Sequence, residues 1–152
     1  MDHPKEKGDR TTLAVMLALK VAGFTIAEPF GENTRYDLIV DDGSGLTRVQ
    51  CKTGRLRGGA VHFALCSCYG HHRNPGQARR AYHGEVDYFG VYCSETGGVY
   101  LVPVAHCGQV HASLRIAEPR NNQRQGVRFA RDYLIAEINV SLMQPALGRL
   151  AA

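Results

Sequence analysis

The sequence has no hydrophobic run long enough to cross a membrane. The longest, Leu13 to Leu19, is far shorter than the roughly 20 apolar residues of a membrane-spanning helix. The first residues, Met1 to Arg10, are charged and contain no apolar segment, so we expect no secretory signal. Five cysteines without a repeating spacing indicate a reducing cytosol rather than a disulfide framework. These absences exclude transmembrane proteins and secreted mini-proteins, and we expect a cytoplasmic protein with no membrane partner.

Acidic residues are missing from two stretches in which basic residues are frequent. Neither the stretch between Asp42 and Glu85 nor the one from Pro119 to Arg131 contains an aspartate or a glutamate. Of the 18 basic residues 14 are arginines, whose planar guanidinium group suits phosphate, and the net charge is +4. A solvated basic face is the simpler alternative, but it does not explain why acids are excluded from both stretches. We interpret them as the electrostatic footprint of a nucleic acid.

The length of 152 residues fits one domain, 1–152, of which 136–152 is partly a C-terminal tail. No internal repeat, low-complexity tract or linker divides the chain. Apolar spacing and turn signals predict helices at about 9–22 and 126–136, and strands at 24–27, 36–40, 46–52, 61–69, 86–93 and 99–104. This pattern predicts an α/β fold in which helices flank a mixed β-sheet.

The second and third predicted strands form a hairpin around the turn signal Asp42 to Gly45. If the turn is centred between Gly43 and Ser44, the numbers of paired residues sum to 87. Asp37 then lies opposite Gln50, and Lys52 points to the same face two residues further on. Side chains that oppose each other directly lie about 5 Å apart at Cβ, so one hard cation can contact both Asp37 and Gln50.

These three side chains meet the chemical requirements of phosphodiester hydrolysis. The reaction needs a metal-activated water, a positioned phosphate and positive charge against the transition state. Asp37 and the oxygen of Gln50 would hold the metal, and Lys52 would supply the charge or orient the water. The alternative is an exposed hairpin whose polar face happens to carry these residues, but a long basic stretch begins beside it.

Asp9 is a further candidate for the site. At helical spacing it falls on the stripe of Leu13 and Met16, so we expect it to begin the inward face of the first helix. There it would bring a second carboxylate to the metal. The alternative role is stabilisation of the helix N-terminus through the macrodipole.

Several segments of the chain resemble the PD-(D/E)XK nuclease superfamily. Within it, the chain is most similar to the small group that contains a cyanobacterial group I intron homing endonuclease. The segments that carry the resemblance are Lys7 to Asp9, Pro29 to Val40, Arg48 to Gly54, Val86 to Phe89, Tyr100 to Pro103, Asn122 to Arg124 and Val127 to Ala130.

The resemblance implies a restriction-endonuclease-like fold and a Mg²⁺-dependent cut in double-stranded DNA, with Mn²⁺ as a substitute ion. It implies that Asp37 binds the metal, that Gln50 replaces the usual second acid, and that Lys52 is the lysine of the motif. The carbonyl group of Cys51 would be another ligand, and Asp9 would be the helix acid. Since a neutral amide binds metal more weakly than a carboxylate, a charge from Asp9 would matter more here.

Arginines beside these segments are the candidates for DNA contacts. Arg55 and Arg57 directly follow Lys52, in a flexible loop that can clamp DNA or simply connect two strands. Arg124, Arg128 and Arg131 share one face of the predicted last helix, which is a solvated face or a phosphate-binding one. The residues to which we assign DNA binding are Arg35, Arg55, Arg57, Arg73, Arg124 and Arg128.

Two alternative functions remain open. A Holliday-junction resolvase has the same fold and acts on branched DNA, but the loop before Asp37 lacks the Gly-Ser pair of archaeal resolvases. A non-catalytic DNA-binding module is favoured by Gln50 and opposed by the intact Asp37 and Lys52. For an endonuclease we expect a homodimer or homotetramer, because a double-strand cut normally needs two active sites. Encoded by a virus or mobile element, it would act in the host cytoplasm.

Overall fold

The computed structural model describes residues 3–68, 79–108, 110–119, 121–122 and 124–135. In these ranges, one α-helix, α1, spans Pro4–Val21, and two short 3₁₀ helices span Val104–His106 and Ala130–Tyr133. The strands are β1 Thr25–Ala27, β2 Leu38–Asp41, β3 Leu46–Arg57, β4 Ala60–Ala64, β5 Cys66–Cys68, β6 Arg79–Ala81, β7 Tyr88–Cys93, β8 Gly98–Pro103 and β9 His111–Arg115. No helix in the described part is long and apolar enough to cross a membrane.

Seven of the strands form a mixed sheet that branches at the long strand β3. One path runs β1-β2-β3-β4-β9 with antiparallel neighbours. From residue 49 to residue 54, β3 also pairs with β7 in parallel, and β8 lies antiparallel beside β7. Strands β5 and β6 form a separate two-stranded sheet. The predicted α/β fold with a mixed sheet is confirmed.

The β2–β3 hairpin has the predicted register. Leu38 pairs with Val49 and Val40 pairs with Thr47, so the paired numbers sum to 87. The turn is closed by the side chain of Asp42, whose carboxylate accepts hydrogen bonds from the backbone N–H groups of Ser44 and Gly45. This local turn and the alternation of apolar side chains together fix which residues face each other.

Helix α1 packs on the sheet through a different face from the one predicted. Thr11, Val15 and Leu19 are its buried residues, whereas Leu13 is 63% exposed and Asp9 is exposed too. The expectation that Asp9 begins the inward face is therefore wrong. Apolar residues occur on both sides of this helix, and their spacing alone does not say which stripe meets the sheet.

The N-terminal end of α1 also lies five residues before the predicted one. Pro4 occupies the first turn, where its missing N–H leaves no donor unsatisfied. The imidazole Nδ1 of His3 accepts a hydrogen bond from the backbone N–H of Lys5, which caps this end. The sequence interpretation began the helix at about residue 9, from the spacing of the apolar residues that follow, and missed this cap.

The predicted helix at 126–136 is absent from its described residues. The backbone N–H of Arg115 in β9 donates to the carbonyl of Arg128, and Phe129 forms a bridge with Arg115. The helical part of this segment is limited to Ala130–Tyr133, which forms a 3₁₀ helix. Extended pairing with β9 satisfies the backbone here, so tertiary contacts override the helical spacing.

The predicted strand 61–69 is divided into β4 and β5, with Leu65 between them. Leu65 is buried, and its backbone N–H donates to the carbonyl of Val110 rather than to a ladder neighbour. Tyr69 lies outside the described residues, as do Arg73 and the 136–152 segment.

Candidate active site

Asp37 lies immediately before β2 and is held against β3 by two hydrogen bonds. Its backbone N–H donates to the carbonyl of Val49 over 2.9 Å. One oxygen of its carboxylate, Oδ2, accepts the backbone N–H of Cys51, also over 2.9 Å. These two hydrogen bonds fix the Asp37 carboxylate against the part of β3 that carries Gln50 and Lys52.

The environment of Asp37 suits a positively charged ligand. Burial raises the pKa of its carboxyl group, and the hydrogen bond from Cys51 and the charge of Lys52 lower it by less. The protein therefore does not fully replace the hydration that the charged carboxylate loses when it is half-buried. A cation bound to the carboxylate would compensate for that loss.

The side chain of Gln50 and the carbonyl group of Cys51 are in contact on β3, next to the N–H that binds Asp37. The amide Nε2 of Gln50 lies 3.4 Å from the carbonyl oxygen of Cys51, so the two groups are neighbours. The thiol of Cys51 is buried, which raises its pKa to about 12 with a further contribution from Asp37. Cys51 therefore stays a thiol at neutral pH, and its carbonyl oxygen is the atom it can offer to a hard cation.

Lys52 places its ammonium group against the two-stranded β5–β6 sheet. The Nζ atom lies 3.3 Å from the hydroxyl oxygen of Tyr82 and 3.4 Å from the carbonyl oxygen of Cys66. It also lies 4.5 Å from the centre of the Tyr82 ring. The ring of Tyr82 is buried in the core, and no spacing signal in the sequence linked it to Lys52.

Arg35 shares the Tyr82 ring with Lys52. Its guanidinium carbon lies 3.9 Å from the ring centre, and its Nε atom forms an ion pair with Glu85. The Arg35 side chain is only 18% exposed. These contacts give Arg35 a structural role beside the site, and the DNA contact assigned to it stays a prediction.

A threonine of α1, rather than Asp9, makes a side-chain hydrogen bond with β3. The hydroxyl of Thr11 lies 2.6 Å from that of Thr53. Asp9 is exposed on the same helix. The structure therefore gives no support to Asp9 as the second carboxylate of the site. The face of α1 that packs on the sheet carries Thr11 at this end of the helix, and Asp9 lies outside that face.

Arg55 and Arg57 are exposed at the end of β3, beyond Lys52. They belong to the strand rather than to a loop, and the turn follows at Gly58 and Gly59, both with positive φ. The strand that carries Lys52 therefore also carries two exposed arginines. Binding of DNA at this end of β3 stays a prediction.

The arginines near the C-terminal end of the described residues contact other side chains of the same chain. Arg124 and Arg131 lie 3.4 Å and 3.6 Å from the carboxylate of Glu118, and Arg128 donates to the hydroxyl of Tyr133. The expected common helical face is wrong, because residues 127–129 are extended. DNA contacts of Arg124 and Arg128 remain predictions without that support.

The residues present fit one hard cation. A carboxylate oxygen of Asp37, the amide oxygen of Gln50 and the carbonyl oxygen of Cys51 are the donors that Mg²⁺ prefers. Among the described residues, no cluster of three or more His, Cys, Asp or Glu side chains can hold a metal ion. Of the three proposed donors, only Asp37 is charged.

Two comparisons with known proteins find that the chain is similar to endonucleases. A sequence model of the PD-(D/E)XK endonuclease family matches residues 2–136. The structure of a bacterial homing endonuclease, I-Ssp6803I, superposes with a TM-score of 0.70 at 26% sequence identity. The match covers 97% of this chain and 98% of that one. No curated protein sequence matches the chain.

Proposed function

Because the chain belongs to the PD-(D/E)XK endonuclease family, we propose that it cuts double-stranded DNA with the help of a divalent metal ion. Mg²⁺ is the proposed ion, and Mn²⁺ would substitute for it. The observation that carries the proposal is the position of the Asp37 carboxylate. The backbone of Cys51 holds it beside Lys52, on a strand that continues to Arg55 and Arg57.

Each of these residues has a role that follows from its chemistry. The metal ion, when bound, would lower the pKa of a water molecule and offset charge on the phosphate. Asp37 supplies the charged ligand, and Gln50 and the carbonyl group of Cys51 supply neutral oxygen atoms. Lys52 places positive charge near the scissile phosphate, where negative charge develops in the transition state.

Binding of the DNA is assigned to the arginines along and beside β3. Arg55 and Arg57 are exposed and directly follow the metal-site residues, so they can contact phosphates that flank the cut. The likeness to a bacterial homing endonuclease over nearly the whole chain supports DNA as the substrate. A cut in both strands normally needs two active sites, which supports a homodimer or a homotetramer. The proposed location of this oligomer is the cytoplasm.

Cleavage of a mixed set of linear and branched DNA substrates tests the proposal. We expect nicking or linearisation with Mg²⁺ or Mn²⁺, loss of cleavage with EDTA, and loss of cleavage in Lys52→Ala. Lys20→Ala, which removes an exposed lysine from the last turn of α1, is the control and should cleave normally. Robust cleavage by Lys52→Ala would contradict the role of Lys52, and cleavage of branched substrates alone would indicate a resolvase.

A non-catalytic DNA-binding module is the second candidate function. One observation favours it: of the three proposed metal donors only Asp37 is charged, and the neutral Gln50 stands where a second acid would strengthen metal binding. Such a module would bind DNA with the same arginines. It would show no metal-dependent cleavage of any substrate in the set described above.

A further inference from the structure

Tyr82 is the residue that contacts the ammonium group of Lys52 most extensively in the described structure. Its hydroxyl oxygen lies 3.3 Å from Nζ, and the centre of its ring lies 4.5 Å from the same atom. An ammonium group over an aromatic face is attracted by the ring quadrupole, and the hydroxyl adds a hydrogen-bond acceptor. One side chain therefore restrains Lys52 in two ways.

The ring of Tyr82 is itself firmly placed. Only 4% of the residue is exposed, and the ring meets Phe89 edge to face with the centroids 5.7 Å apart. The guanidinium group of Arg35 covers the ring at 3.9 Å and is anchored by its ion pair with Glu85. A buried ring with neighbours in the core and at the surface is a rigid support for a mobile side chain.

Lys52 needs such a support because its side chain is long and flexible. A lysine loses much of its rotamer entropy when it is fixed in one position. The carbonyl of Cys66, which begins β5, provides a second acceptor 3.4 Å from Nζ. Tyr82 directly follows Ala81, which pairs with Cys66, so both contacts to the ammonium group come from the same end of the β5–β6 ladder.

We propose that Tyr82 is a positioning residue of the nuclease site, which holds the ammonium group of Lys52 through its hydroxyl group and its ring. The inference rests on the proposed function for its catalytic consequence, but the contact itself is independent of cleavage. Tyr82 does not touch the substrate in this proposal. It acts on the reaction only through the placement of Lys52.

A nuclear magnetic resonance measurement tests the contact without any cleavage. We expect the Hε protons of Lys52, identified by their loss in Lys52→Arg, to be shifted upfield by the ring current of Tyr82. The shift should persist in Tyr82→Phe, which keeps the ring, and should disappear in Tyr82→Leu. Unshifted Lys52 protons in the wild type would overturn the proposal whatever the protein does to DNA.

Cleavage kinetics test the consequence. Tyr82→Phe removes one hydrogen bond to a charged group, so we expect kcat to fall about three- to tenfold while KM and the Kd for DNA stay unchanged. Tyr100→Phe is the matched control, because it removes another buried hydroxyl group that binds Thr96 far from any charge of the site. An unchanged kcat in Tyr82→Phe, or an equal fall in Tyr100→Phe, would overturn the positioning role.

The two measurements keep this proposal separate from the proposed function. A wild type that cleaves no substrate contradicts the nuclease function, and the Lys52 proton shift still shows whether Tyr82 holds the lysine. A wild type that cleaves normally, with unshifted Lys52 protons, leaves the nuclease function intact and removes Tyr82 from it.

Discussion

The backbone N–H of Cys51 donates a 2.9 Å hydrogen bond to the Oδ2 atom of Asp37, and this contact fixes the centre of the candidate site. It uses the main chain of β3, so it depends on the hairpin register rather than on the side chain at position 51. The same register places Gln50 and Lys52 on either side of the donor. Orientation of the carboxylate is therefore a direct product of strand pairing.

Substitution of Asp37 by asparagine separates the charge of this residue from its shape. In Asp37→Asn the amide oxygen can still accept the N–H of Cys51, so we expect the fold to be kept. Because burial raises the pKa of Asp37, a neutral residue there should leave the melting temperature equal or higher. Cleavage should fall by about a hundredfold or more, as expected for loss of the charged metal ligand.

The control for this prediction is Asp41→Asn, which removes an exposed carboxylate from the end of the same strand. It should cleave at the wild-type rate. Cleavage by Asp37→Asn at a rate similar to that of Asp41→Asn would contradict the role of Asp37 as metal ligand. A large loss of melting temperature in Asp37→Asn would instead assign it a structural role.

Substitutions of Gln50 distinguish the proposed nuclease from the non-catalytic DNA-binding module. If its amide oxygen binds the metal, Gln50→Glu should keep or strengthen Mg²⁺ binding, since a carboxylate is a better partner for a hard cation. Gln50→Leu removes the oxygen at similar size and should abolish cleavage while DNA binding continues. Calorimetric titration of Mg²⁺ or Mn²⁺ into the three proteins, with DNA present, measures the difference. Identical weak heats would support the non-catalytic module.

The hairpin that carries the site could be predicted because its determinants are local. Alternation of apolar residues fixes which face is buried, and the side chain of Asp42 closes the turn at the expected place. Together they fix the pairing of Leu38 with Val49, and so bring Asp37, directly before β2, close to the part of β3 that carries Gln50. Nothing further along the chain was needed for this part of the site.

Other parts depend on contacts between distant residues and were predicted wrongly or missed. The exposed stripe of α1 is as apolar as the buried one, so the sequence placed Asp9 on the wrong face. The chain after Gly126 has helical spacing, yet its backbone pairs with β9. Tyr82 lies 30 residues from Lys52 in sequence, and only the tertiary fold brings them together.

Arg55 and Arg57 should contribute to DNA affinity through contacts with phosphates. Their joint replacement by alanine should weaken binding and reduce the salt dependence of the affinity by up to about 0.9 in slope per lost contact. The matched control is the joint replacement of Lys5 and Lys20 by alanine, which removes the same charge from two exposed side chains of α1. An equal change of slope in both double variants would reduce the effect to net charge alone.

The close approach of α1 to the sheet depends on a glycine in β7. A Cβ atom at Gly90 would lie 2.7 Å from the Cγ1 atom of Val15, which is buried in the helix. Gly90→Ala should therefore lower the free energy of unfolding by about 1–3 kcal/mol, the usual cost of overpacking a core. Urea unfolding measures this cost. Gly8→Ala, at an open position of α1, is the control and should not destabilise the fold.

Arg48 and Asp87 connect the start of β3 to the segment before β7, where the parallel pairing begins. The carboxylate of Asp87 accepts the backbone N–H of Arg48 over 2.7 Å and two guanidinium N–H groups over 3.1 Å and 3.2 Å. Burial acts to raise the pKa of Asp87, but the hydrogen bonds and charge of Arg48 outweigh it and lower the pKa. Both side chains are more than one third exposed, so solvent screening limits the gain to about 1 kcal/mol or less.

The lowered pKa makes the contribution of Asp87 to stability depend on pH in a defined direction. The charged form is favoured in the folded state, so the contribution is present above the unfolded pKa of about 3.9 and disappears as the pH falls through the lower folded value. Urea unfolding of the wild type and Asp87→Asn should therefore differ at neutral pH and converge below about pH 4. Glu28→Gln controls for the removal of an exposed carboxylate. A difference that stays constant over this pH range would mean that Asp87 stabilises the fold through its shape rather than its charge.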